Sequence, residues 1–528
     1  MATNERRGAV WFLAGAVVVL AGAASRAVPP QRTILDPTKF AHFVQVFNAA
    51  DEGAVVNLIP NAQAWQWIVD NAPLFDCPSP EFTRIYYFRW WTYRKHIRQT
   101  PTGRVLTEFL EPVSHAGPHN TISCAFGHHI AEGRWLRDQS LLDEYAHFWF
   151  RSEPDRRPAD HLHNFSSWAA AALYDRYLVT GDAAFLIDLL DDLVADFKAW
   201  QRERRRADCL YWQYDVRDGM EESISGSRTR KHIRPTINSY MAANARAIAH
   251  IATLAGRTEL AREFGAAADA LRENLIASLW DPESKFFKVR FEDGGLSAAR
   301  EAIGYIPWMF DLAGSEHAEA WRQLQDPDGF SAPWGLTTAE RRHPAFRSHG
   351  AGTCEWDGAV WPFATSQTLT GLAKLLHGPA QPYVTGRSFF EQMIKYARSH
   401  QRDGEPYIGE YLDETTGDWL ITGPKADRSR YYNHSTFNDL VICGLVGLVP
   451  RDGDVIEVDP LIPADTWDWF CLDGVPYHGQ SLSIVWDRTG RHYGRGAGLA
   501  VWINGSEVVR SPKLQRVLAP MPAPNALP

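Results

Sequence analysis

The sequence predicts a mainly α chain, an array or closed toroid of helical hairpins, with a small antiparallel β domain at its C-terminal end. Three observations carry this. Apolar residues recur at helical spacing through the middle of the chain. Short polar turns join many of these segments. After about Leu448 the spacing changes to the two-residue alternation of strands.

Phe185, Leu186, Leu189, Leu190, Leu193, Val194, Phe197 and Trp200 fall on one helical stripe. Leu260, Phe264, Ala268, Leu271, Leu275 and Leu279 form a second. The Ala-rich run 240–255 before it closes on Gly256, a C′ glycine. Further helices are expected over 141–150, 168–178, 361–376, 389–399 and 436–445. No fixed-period repeat is present, which counts against a simple solenoid. In the last part, 454–459 and 480–486 alternate like strands. Residues 501–509 read as a hairpin, because Asn504-Gly505 suits a type I′ turn. The expected division is 1–27 as signal peptide or N-terminal anchor, 28–448 as the helical domain, 449–520 as the β domain and 521–528 as a loose tail.

The N-terminus carries Arg6 and Arg7 ahead of an apolar run over 9–24, then small residues through Ser25. That pattern reads as a cleaved export signal, with an uncleaved anchor as the alternative. Either way the bulk of the chain is expected outside the cytoplasm, periplasmic or extracellular. No second long apolar run follows, so a polytopic membrane protein is excluded. The net charge of −9 argues against a nucleic-acid partner. Six widely spread cysteines without a CxxC pair argue against a zinc site. Export would permit disulfides, and the spacing selects no pairing. The oligomeric state is not legible.

The compositional outlier is 21 Trp, within an aromatic share of 12%. Most of these rings must be core. Trp beside carboxylates in loops is also what a sugar cleft uses, since pyranose faces stack on flat rings. Two such segments stand out. One is Tyr211-Trp-Gln-Tyr-Asp215-Val-Arg217-Asp218-Gly219-Met220-Glu221-Glu222; the other is Tyr407-Ile-Gly-Glu410-Tyr411-Leu-Asp413-Glu414-Thr-Thr-Gly417-Asp418-Trp419. Glycosidic hydrolysis needs a carboxyl to protonate the leaving oxygen and a carboxylate to activate water or attack carbon. The bland alternative is a pair of solvated acidic loops.

The segment around Gly219-Met220-Glu221 resembles the Gly-Met-Asp-Asn-Ser signature of inverting glycosidases with an (α/α)6 barrel, the group of trehalase, processing α-glucosidase and mannosylglycerate hydrolase. The general acid of that group maps to Glu221, a Glu where the family has Asp, with Asp218 as the alternative acid. Glu410 and Gly417 keep the spacing of the family's Glu-x-Tyr-x-x-x-Thr-Gly element, and Glu410 maps to the general base. Glu355-Trp356-Asp357-Gly358 through Trp361-Pro362-Phe363 resembles the Trp-rich strip lining the sugar subsite. The exit from Leu445 through Pro460 is similar to the passage into a β sandwich. These matches span about Tyr211 to Asn504.

The resemblance implies a glycoside hydrolase, exported on the N-terminal reading, acting on an α-linked oligosaccharide or small glycoside with inversion and no cofactor. Trp212, Tyr214, Trp356, Trp361 and Tyr407 admit two readings, sugar platform or core. Asp357 would hold sugar hydroxyls or cap the following helix. Arg89, in Phe88-Arg89-Trp90-Trp91, would clamp substrate or serve structurally. His128-His129 and His161-Leu-His163 invite a metal reading, but no HExxH completes it. Asn433-His434-Ser435 reads as a helix cap. No Gly-x-Ser-x-Gly elbow, Walker or Rossmann pattern occurs. The remaining alternatives are a related-barrel phosphorylase or polysaccharide lyase, and a sugar-binding protein without catalysis.

Overall fold

The computed structural model describes residues 34–522, apart from 52, 54, 56, 57, 153–156, 351, 352 and 422–427. The N-terminal apolar run and the tail from 523 lie outside the described residues. Among the described residues, no helix is long and apolar enough to cross a membrane.

Among the described residues, six helical hairpins close into a ring. The outer helices are Pro80–Lys95, Ser140–Arg151, Ala183–Arg204, Thr258–Leu279, the tighter Ser315–Leu324 and Gly386–Ser399. Each leads to an inner helix: Phe126–Gly133, Ala169–Thr180, Pro235–Leu254, Ile306–Met309, Pro362–His377 and Phe437–Leu440. Each inner helix packs on the next, and the last packs back on the first. This is an (α/α)6 toroid.

The residue pattern decides which helix is inner. Ala183–Arg204 buries one stripe, including Leu186, Leu189, Leu193 and Phe197, and leaves its other side polar. Pro235–Leu254 is buried all round from Pro235 to Ala245, and its Ala residues let neighbours approach closely. It starts at Pro235, ahead of the expected 240, because Pro at the first helical position loses no hydrogen bond. It ends as expected at Gly256, with φ +69°. The Gly256 and Arg257 N–H groups bond back to the Thr253 and Ala252 carbonyls, a Schellman closure.

The links alternate in length. Inner-to-outer links are short, such as Gly181-Asp182, where Asp182 accepts from Phe185 N at 3.3 Å. Outer-to-inner links are long: 205–234, 325–361 and 400–436. The irregular, acid-rich segments therefore gather at the N-terminal mouth of the inner ring.

The C-terminal part forms two antiparallel sheets. The larger orders Leu74–Asp76, Trp469–Tyr477, Gln480–Asp487, Gly498–Ile503 and Ser506–Ser511. The smaller orders Leu448–Val449, Val455–Val458 and Val517–Pro520. Asn504 and Gly505 both take positive φ at the expected hairpin turn. The edge strand Leu74–Asp76 comes from far upstream, pairing Leu74 with Asp473. Three residues are too few to show an alternation, so no pattern marks this strand in advance.

Gly447 carries the chain from the last inner helix into these sheets. Its φ is +81°, and an added Cβ would lie 2.1 Å from the Asp459 carbonyl oxygen. Gly447→Ala is expected to lower stability by about 2–4 kcal/mol through strain and backbone clash. A drop in the urea midpoint at unchanged slope is the check.

Candidate active site

The long links bring carboxylates to the N-terminal mouth. Glu221 follows the single turn Asp215–Asp218, which ends on Gly219 at φ +69°. Glu222 also takes positive φ, +66°. The backbone thus reverses on both sides of Met220-Glu221. The Asp215 carboxylate pins this loop by accepting from Val216 N at 2.8 Å and Glu222 N at 3.2 Å. The Glu222 carboxylate accepts from Cys354 N at 3.1 Å and so ties the loop to the Trp strip. Burial pushes the Glu221 carboxyl up to about 7, with the charges of Asp215 and Glu410 adding to it and Arg228 opposing.

Glu410 is 8% exposed. It accepts from Ser429 Oγ at 2.7 Å and Arg428 Nη2 at 3.4 Å. Burial raises its pKa; the Ser429 hydroxyl and Arg428 work against burial, and the charge of Glu108 adds to it. The charge of Glu410 reaches Glu221, yet only Glu410 is gripped by side-chain donors that favour its ionised form.

Asp218 is placed differently. Its side chain has no exposed area and accepts from Arg234 Nε at 2.6 Å, with Thr236 Oγ1 also close on the same oxygen. Asp218 anchors the loop to the start of an inner helix. Arg234→Met would leave that carboxylate buried without its cation, at an expected cost of about 3–5 kcal/mol. Equilibrium denaturation measures it.

Trp356 stacks on Trp361 at 4.7 Å, and Trp361 on Tyr411 at 4.9 Å. Trp361 Nε1 donates to the Cys354 carbonyl at 3.0 Å. This three-ring stack joins the Trp strip to the Glu410 segment. Asp357 is fully buried and does not cap the following helix, whose N-cap residue is Trp361. One Asp357 oxygen accepts from His349 N at 2.9 Å and lies 2.8 Å from His349 Nδ1. The other has no hydrogen-bond partner among the described residues. Tyr407 packs edge-on to Trp419 at 5.5 Å, under Arg402 at 5.3 Å. Trp212 is held between Arg204 and Lys231, at 4.3 and 4.7 Å, and packs edge-on to Tyr214. The structure thus groups Trp212 and Tyr214 with surface cations.

Arg89, considered as a substrate clamp, is instead completely buried. It donates to Thr92 Oγ1 at 2.8 Å, the Ser435 carbonyl at 3.1 Å and Asn433 Oδ1 at 3.3 Å. It positions the 433–435 segment from behind. His129 contacts Tyr145 Oη and the Asn433 carbonyl inside the core, and His163 sits between Asp196 and Glu203. All six cysteines are free.

Sequence reasoning missed Glu108. It is buried and accepts from Tyr432 Oη at 2.7 Å, with His434 Nε2 close to the same oxygen. Burial pushes it up to about 7. Its signal, an acid next to Phe109, is the one used for the other acids, but no glycine marks the turn. His434, read as part of a helix cap, belongs to this cluster. Arg428 and Ser429 were missed because a donor to a distant carboxylate leaves no local pattern.

Residues 117–435 match the model of the mannosylglycerate hydrolase MGH1-like glycoside hydrolase domain. The chain belongs to this family. Residues 450–510 match the C-terminal domain of glycosyl hydrolase family 65. The chain thus carries a glycoside hydrolase domain. A solved structure described as "Sialidase" is 48% identical over 94% of this chain, with a TM-score of 0.91; the match covers 45% of that chain. The chain therefore spans less than half the length of this relative. A GH78 rhamnosidase of Bacillus sp. GL1 is 14% identical over 82% of this chain and 41% of its own, with a TM-score of 0.57. The GH63 mannosylglycerate hydrolase from Thermus thermophilus, in complex with Tris and D-glycerate, is 13% identical over 66% of this chain and 98% of its own, at 0.51. The last two likenesses concern the fold.

Proposed function

We propose that the hydrolase cleaves an α-linked oligosaccharide or small glycoside with inversion at the anomeric carbon. Glu221 is the general acid. Its proton passes to the glycosidic oxygen as the bond from that oxygen to the anomeric carbon breaks. Glu410 is the general base. It takes a proton from water while the water oxygen bonds to the anomeric carbon from the opposite face.

One observation carries this reading: the two carboxyls share a mouth but differ in surroundings. Burial raises both carboxyls, but Glu221 is pushed up to about 7 with no side-chain donor on it, whereas Ser429 and Arg428 work against the rise at Glu410 and favour its ionised form. Environments that separate a pair in this way assign acid and base. The stacked Trp356, Trp361 and Tyr411 offer an aromatic wall beside it, and Asp357 an acceptor for sugar hydroxyls. The α linkage and the inversion rest on the family resemblance. NMR of the product in the first minutes of turnover tests the mechanism. The β anomer from an α-linked substrate is expected, and the α anomer would overturn inversion.

We also infer export, from Arg6, Arg7 and the apolar run 9–24. Cell fractionation tests it, and enzyme confined to the cytoplasm would refute it.

A further inference from the structure

The inner ring is hollow at the end opposite the acid-lined mouth. The C-terminal halves of the inner helices enclose a cavity of about 570 Å³. That lies in the usual range of roughly 300–1,000 Å³ for small-molecule sites. None of Glu108, Glu221 and Glu410 lines it. A layer of rings lies between the two ends. His128 packs on Phe363 at 4.2 Å and Trp168 at 5.0 Å, and Trp168 packs on Tyr240 at 4.8 Å. Phe363 in turn packs on His434, the partner of Glu108.

The inner end of the cavity holds polar groups without partners. His128 is 2% exposed, and neither ring nitrogen has a hydrogen-bond partner among the described residues. The hydroxyl of Thr436, which also lines the cavity, is equally unpartnered. Buried polar groups are nearly always hydrogen-bonded, so two orphans on one cavity wall point to an occupant. Burial holds His128 neutral. A neutral imidazole offers one donor and one acceptor, as a hydroxyl does.

The charges on the wall favour an uncharged occupant. Arg134 is matched by Asp439, with Nε at 3.0 Å and Nη2 at 2.7 Å. Lys374 is 2.9 Å from Asp311, and Arg246 is 3.8 Å from the same carboxylate. An anion entering here would meet Asp175, Asp311 and Asp439. A hydroxyl-rich molecule can donate to those carboxylates and accept from Arg246 and Lys374. Tyr174 and His250 stack at 5.0 Å with an interplanar angle of 13°, adding flat apolar surface.

We propose that this cavity is a second carbohydrate site, which takes an uncharged sugar of mono- to disaccharide size at the end of the toroid opposite the acids. Calorimetric titration of D-glucose, D-mannose and L-rhamnose into the Glu221→Gln/Glu410→Gln protein reads both ends without turnover. At least one sugar is expected to bind in two components. Asp175→Asn and His250→Ala, placed in that double variant, should each weaken one component by about tenfold and leave the other unchanged. A single component for all three sugars, or two components indifferent to both substitutions, overturns the proposal. A crystal soaked in the binding sugar gives an independent reading, and density only at the acid-lined mouth would also overturn it.

Discussion

Glu221→Gln is expected to lower kcat/KM by about 10³-fold on substrates with poor leaving groups, within the usual 10²–10⁴ range for a general acid. The loss should shrink toward tenfold on aryl glycosides whose phenolate leaves without a proton, because those substrates do not need the acid. The wild-type pH profile follows from the same carboxyl. With Glu221 pushed up to about 7, activity falls as pH rises above 7 and the donor ionises. That basic limb should vanish in the variant. Stability falls with the same ionisation. A carboxyl whose folded pKa exceeds its unfolded value binds more protons when folded, so its contribution is fully present below about pH 4.5 and is lost as pH rises to about 7. Removing the charge should therefore stabilise the variant at pH 8 by about 2–3 kcal/mol relative to wild type. A merely structural Glu221 would produce neither the leaving-group dependence nor the lost limb.

The ring is legible in the sequence because an outer helix advertises itself. Ala183–Arg204 and Thr258–Leu279 show one clean apolar stripe each, and Gly181 and Gly256 mark where two inner helices end. Inner helices are less legible. Ile306–Met309 is a single turn whose Trp308 packs on Trp321 and Phe287, so it offers no period to read. Glu221, Glu410 and the Trp356–Trp361 pair stand out because glycine, acid and ring lie close together in the chain. Glu108, Arg428 and His434 escape notice because their partners lie elsewhere in the sequence. His434 meets Glu108 across 326 positions, a distance that one sequence cannot encode locally. The N-terminal pattern read as an export signal and the six cysteines would leave room for disulfides, whereas all six thiols are free. Arg89 shows the opposite error: next to Trp90 and Trp91 it resembles a cleft residue, yet its helix is covered on every side.

Glu410→Gln should lower kcat by about 10³-fold on every substrate, whatever its leaving group, since water activation does not depend on the aglycone. KM should hardly change. The amide oxygen can still accept from Ser429, so the local hydrogen bonding survives and the loss reports the missing base. Added azide should restore turnover, because an anionic nucleophile needs no proton removed before it attacks. Glu108 provides a finer test of the electrostatics. Its charge raises the pKa of Glu410, although it is itself pushed up to about 7 and is partly protonated near neutrality. Glu108→Gln removes that charge; because Glu108 is largely protonated on the acidic side of neutrality, the acidic limb of the pH profile should move down only slightly, leaving the basic limb of Glu221 in place. An acidic limb that stays fixed while kcat falls would mean that Glu108 shapes the mouth through Tyr432 and His434 rather than through its charge. If azide fails to rescue Glu410→Gln while the protein remains folded, the base must be sought elsewhere among these acids, and Glu108 itself is then the next residue to substitute.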